Sequence, residues 1–115
     1  MRDNQLSDDG AGDEDDTGEG FGVPPGATVR VLTICNQKGL HARASAKFVQ
    51  TVEKYDAEVR VSRGGETVGG TSIMGLMMLA AQKDSEIVVV AWGLQKDEVL
   101  AALEALVDGR FGEDD

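Results

Sequence analysis

The 115 residues make one domain, and 41% of them are hydrophobic, enough for a single core but too short a chain for a two-domain enzyme. With 11 Lys and Arg against 21 Asp and Glu, the formal charge of −10 argues against a nucleic acid or an anionic membrane as main partner. A lone cysteine, Cys35, excludes an internal disulfide, and a lone histidine, His41, excludes a multi-histidine zinc site.

No apolar run reaches the roughly 18–20 residues needed to span a bilayer, and the acidic start is unlike a signal peptide. Only 4% of residues are aromatic, which leaves few stacking platforms for single strands. The expectation is a cytoplasmic monomer with no membrane insertion and no nucleic acid partner.

The charge is unevenly spread. Residues 1–26 hold eight acids against Arg2 and end in Val23-Pro24-Pro25-Gly26, with few apolar groups to offset the entropy of ordering. Residues 28–108 carry ten acids and nine bases. The expected organisation is a disordered acidic arm over 1–27, a folded domain over 28–108 and a flexible acidic tail over 109–115, which ends Glu113-Asp114-Asp115.

Within the domain the hydrophobic period alternates between two and about 3.6. Thr28–Cys35 alternates and is rich in β-branched residues, which predicts a first strand, followed by the loop Asn36-Gln37-Lys38-Gly39. From Ala42 to Tyr55 apolar residues recur at three- and four-residue steps, Phe48, Val49 and Val52 among them, and predict an amphipathic helix. Residues 57–63 and 66–69 flank Gly64-Gly65 and read as a hairpin.

Ser72 is a good N-cap for a short helix beginning at Ile73. The near-continuous apolar run of 86–92 predicts a central strand buried along its length, with Trp92 capping the core. Asp97 and Glu98 sit in the first turn of a last helix that runs to Val107. Cys35 is expected to be a small buried hydrophobe. The order β-α-β-β-α-β-α fits an α+β two-layer sandwich, a four-stranded antiparallel sheet with three helices on one face.

Chemistry concentrates in Gly39-Leu40-His41-Ala42-Arg43-Ala44-Ser45. His41 stands where loop gives way to helix, among amides without intrahelical partners and at the positive end of the helix dipole. Such a place disfavours the imidazolium cation and leaves a ring nitrogen free as a nucleophile. A phosphoryl group taken there would lie against backbone amides and within reach of the Arg43 fork. On the residues alone, a capping or surface histidine is the more frequent reading of such a residue.

The Gly39–Arg43 motif with its helix, followed some thirty residues later by Ser72-Ile73-Met74-Gly75-Leu76-Met77, resembles HPr, the histidine-containing phosphocarrier family of the phosphoenolpyruvate phosphotransferase system. The resemblance covers about residues 28–108. It implies an open-faced sandwich in which Nδ1 of His41 takes a phosphoryl group from phosphorylated enzyme I and passes it to an enzyme IIA protein, as in sugar transport. It carries over Arg43 as the phosphate-stabilising residue and Ser72 as a target of HPr kinase/phosphorylase.

It also implies a partner surface of Ala42, Lys47, Ile73, Met74 and Met77. On the residues alone, the short helix is apolar nearly all round and a two-layer fold covers one side, so Leu76 and Leu79 are expected inward and Ile73, Met74 and Met77 outward. The family commonly has Pro where Ala44 stands; Ala, a strong helix former, removes no chemistry there. Variants with a small residue at this place resemble the nitrogen-related or regulatory branch. The carrier is a covalent relay with no metal or cofactor of its own, and its rival is a regulatory binding module that docks through the Ser72 helix under kinase control.

Overall fold

A computed structural model describes residues 23–113. Strand β1 (Thr28–Thr33) leads to helix α1 (Ala42–Glu53), the hairpin β2 (Glu58–Arg63) and β3 (Glu66–Gly69), helix α2 (Ile73–Met78), strand β4 (Glu86–Trp92) and helix α3 (Lys96–Asp108). The four strands form one antiparallel sheet in the order β1-β4-β2-β3. The expected α+β sandwich is therefore the observed one.

Register decides which side chains meet the helices. Leu32 lies opposite Ile87, and Val89 and Ala91 lie opposite Val61 and Val59, all of them buried. From the helix side, Phe48, Val49 and Val52 of α1, Leu76 of α2, and Val99, Leu100, Leu103 and Val107 of α3 complete the core. The α1 stripe is narrower than its period implied, since Ala42 is exposed and Ala46 half-buried.

Among the described residues no helix covers the other face of the sheet, and two expectations change for that reason. Strand β4 is central, paired on both sides, but only Ile87, Val89 and Ala91 are buried; Val88, Val90 and Trp92 alternate outward and are half-buried. Trp92 consequently does not cap the core and instead lies on the open face, where the Arg60 guanidinium stacks 4.8 Å from its ring centre. Val29 and Val31 of β1 share this face and are about half exposed. Cys35 is half-buried, because its thiol turns to the Val107 carbonyl at 3.1 Å.

The chain after residue 108 also departs from expectation. In place of a flexible tail, Arg110–Gly112 forms a 3-10 turn that buries Phe111 to 1% exposure. Arg110 and Phe111 adopt positive φ, both 55°, at a cost of about 1–2 kcal/mol each. Burying a phenylalanine contributes roughly 1.5–3 kcal/mol and so offsets most of it. Asp114, Asp115 and most of the acidic arm lie outside the described residues.

Gly39 fixes the loop that carries His41. Its φ is +68°, and a Cβ placed there would come within 2.4 Å of the Ala81 carbonyl oxygen, the same oxygen that accepts the Leu40 amide at 2.9 Å. Gly39→Ala is expected to cost roughly 2–4 kcal/mol from left-handed strain and backbone overlap together. Urea denaturation would show this as a lowered midpoint at unchanged slope.

Candidate functional site

Helix α1 starts at His41 because its extended backbone (φ −77°, ψ −177°) lets the ring fold back over the first turn. There Nδ1 accepts the Arg43 amide at 3.3 Å, while the His41 carbonyl takes the Ser45 amide at 2.9 Å. The ring does what a Ser or Asp cap usually does. The amides of Ala42 and Ala44 share this first turn, where helix geometry supplies no acceptor. Ser45 is itself buried and its hydroxyl donates to the Leu40 carbonyl at 3.2 Å, which ties the helix start to the loop.

The opposite edge of the ring meets a group that sequence reasoning missed. Nε2 lies 2.5 Å from Oε2 of Glu113, with the histidine side chain 28% and the glutamate side chain 16% exposed. The other glutamate oxygen, Oε1, accepts from Nδ2 of Asn36 at 3.1 Å, and that same amide nitrogen donates to the Gly39 carbonyl at 2.9 Å. Asn36 is fully buried, so the loop residue is a structural member of the site.

These two bonds assign the ring's proton. A backbone N–H donates to Nδ1, so Nδ1 carries the lone pair; a carboxylate accepts from Nε2, so Nε2 carries the hydrogen. Burial pushes the Glu113 carboxyl up, but hydrogen bonds from His41 and Asn36, with the nearby charge of Lys38, outweigh it and hold it below its usual value of 4.5.

The remaining expected residues are placed as follows. The Arg43 side chain is exposed at the helix start and makes no side-chain hydrogen bond or ion pair among the described residues. Lys47 is half-buried and its ammonium donates to the Phe111 carbonyl at 2.5 Å, so it holds the C-terminal turn. Ser72 caps α2, its Oγ accepting the Gly75 amide at 2.9 Å, and is exposed.

On α2, Leu76 and Leu79 are buried while Ile73, Met74 and Met77 are 40%, 70% and 39% exposed. Gly75 lets this helix lie close on β3, since a Cβ there would meet Val68 at 2.9 Å. The bond from the Leu40 amide to the Ala81 carbonyl joins the His41 loop to the segment that follows α2.

Among the described residues, no group of three or more His, Cys, Asp or Glu is placed to hold a metal ion, and no helix is long and apolar enough to cross a membrane.

The chain is similar to known proteins. A family model described as "PTS HPr component phosphorylation site" matches residues 28–108. The phosphocarrier protein HPr of Neisseria meningitidis serogroup A is 48% identical over 82 residues, 71% of this chain and 92% of that protein. The phosphocarrier protein HPr of Pseudomonas aeruginosa is 49% identical over 83 residues, again 71% and 92%. The solved structure of HPr-C-His from Thermoanaerobacter tengcongensis superposes with a TM-score of 0.72 at 34% identity, covering 76% of this chain and 98% of that one.

Because the Glu113 carboxyl is held low in the folded state, its contribution to stability is present above the unfolded value near 4.5 and is lost as pH falls through the lower, folded value. Wild type should therefore melt above Glu113→Gln at pH 6–7, and the gap should close as the pH is taken below 4. Paired thermal melts across that range check it.

Proposed function

The chain belongs to the HPr family of phosphotransferase-system phosphocarriers, and on that premise we propose that His41 is its phosphoryl acceptor, charged by phospho-enzyme I and discharged to an enzyme IIA protein. One observation carries the reading: Nδ1, the nitrogen with the lone pair, faces the amide-rich first turn of α1, while Nε2 is turned away and occupied by Glu113.

The ring needs no general base. Attack by Nδ1 forms the N–P bond as the donor's own bond to phosphorus breaks, and no proton has to leave the nucleophile. The phosphoryl oxygens then meet the first-turn amides and the dipole end of α1. The Arg43 amide, released from Nδ1, gains an oxygen acceptor in its place. The exposed Arg43 guanidinium, unengaged by other described side chains, supplies fork-shaped donors to the same oxygens. The exposed Ile73, Met74 and Met77, with Ala42 at the helix start, form the surface on which enzyme I and enzyme IIA dock in turn.

Ser72 supports a second, compatible role. Its hydroxyl is exposed at the start of α2, so an HPr kinase/phosphorylase can reach it, and a phosphate there would add a dianion beside the apolar docking patch and repel an acidic partner. In this reading the docking face is switched by a kinase.

Incubation with enzyme I and labelled phosphoenolpyruvate should give wild-type label that is acid-labile and alkali-stable, with none on His41→Ala; unchanged labelling of that variant overturns the assignment. In the same assay Arg43→Ala should slow transfer roughly 10- to 100-fold, the worth of one charged hydrogen-bonding group. With HPr kinase and ATP, the expected label is acid-stable and absent from Ser72→Ala.

A further inference from the structure

We infer that residues 109–113 are a clamp on the His41 ring, with Glu113 the positioning residue that keeps the imidazole proton on Nε2 and the attacking lone pair on Nδ1. The transfer half of the inference rests on His41 being the phosphoryl acceptor; the ring-fixing half does not.

The clamping segment lies beyond the span matched by the family model, which ends at residue 108; its Phe111 and Glu113 work with two side chains inside that span, Lys47 and Asn36. Phe111 anchors it in the core at 1% exposure. Lys47 of α1 fixes the Phe111 carbonyl at 2.5 Å. Asn36, fully buried in the loop after β1, orients the glutamate by binding Oε1 at 3.1 Å. Glu113 then has only Oε2 left to face the ring, and it meets Nε2 at 2.5 Å.

A carboxylate on a ribbon of exposed chain would sample many positions. This one is held from both ends of its short segment, by a buried aromatic and by a buried amide.

The pairing has a consequence in each direction of transfer. A neutral imidazole can carry its hydrogen on either nitrogen, and only the form with the hydrogen on Nε2 presents a lone pair at Nδ1. The carboxylate favours that form together with the Arg43 amide, and it alone still holds the Nε2 proton once that amide has turned to the phosphoryl oxygens. When Nδ1 forms its bond to phosphorus and the donor's bond breaks, the ring becomes a phosphoimidazolium cation, and its Nε2 proton remains held against an anion.

When an acceptor's lone pair attacks phosphorus, the Nδ1–P bond breaks and its electron pair returns to Nδ1. The Nε2 proton has stayed throughout, so the leaving group is neutral imidazole in place of an imidazolate anion. Glu113 touches neither the phosphoryl group nor a partner; it acts through the ring.

Two readouts on the full chain test this. Long-range proton–nitrogen NMR of the unphosphorylated protein in alkaline buffer, where an imidazole carries a single proton, should show that hydrogen on Nε2 of His41 in wild type. In Glu113→Ala both ring nitrogen shifts should move toward each other as the tautomers mix, and Glu113→Gln, whose amide oxygen still accepts, should restore much of the wild-type pattern. Ring shifts in Glu113→Ala that match wild type overturn the inference.

In the enzyme I assay, Glu113→Ala should lower kcat about tenfold, the effect of a misplaced reacting group, with KM changed less than about twofold. Equal kcat values overturn the transfer role. Were His41→Ala still labelled, the acceptor assignment would fall while the ring shifts continued to decide the clamp.

Discussion

An α-helix cannot begin without leaving amides unsatisfied, and in this protein one of those amides is answered by an imidazole. The Arg43 N–H bonded to Nδ1 of His41 is the contact on which the site depends. It sets the ring's orientation over the dipole end of α1, makes Nδ1 an acceptor, and turns Nε2 outward toward the C-terminal turn. The rest of the fold holds this junction still. Gly39 allows the loop to pass against the Ala81 carbonyl, buried Ser45 pins the first turn to Leu40, and Phe48 sits one turn further on in the core.

Much of the architecture was legible because burial in a two-layer fold is periodic. Every strand and helix of the domain fell where the period of two or 3.6 changed, and the split of α2 into buried Leu76 and Leu79 against exposed Ile73, Met74 and Met77 followed from its having one face to bury. The exceptions within the sheet have one physical cause. The run 86–92 looks uniformly apolar, yet the sheet is covered on one side only, so Val88, Val90 and Trp92 alternate outward. Composition cannot distinguish a strand covered on two faces from one covered on one.

The site was half legible. His41 and Arg43 are neighbours along the chain, and a helix start is a local signal. Glu113, Phe111 and the bond from Lys47 lay hidden because they depend on contacts across 64 to 77 residues. Acidic residues at a terminus read as a flexible tail, and Asn36 read as part of a loop. One signal was present: Phe111 is a lone aromatic in an otherwise polar segment, and a large apolar side chain in such a place marks an anchor more often than a tail. Lys47 looked like a free charge at the rim of a docking face and is instead bound to a backbone carbonyl.

Helix α3 separates two attachments. Lys96 in its first turn binds the Gly26 carbonyl, where the chain enters the folded body, and the turn after Asp108 carries Glu113 to His41. Thirteen helical residues span about 20 Å, more than two screening lengths at physiological salt. The folded body therefore receives the acidic N-terminal stretch at the end of α3 remote from its histidine. One helix thus keeps the entry of the chain and the carboxylate that meets the ring at opposite ends of the described body.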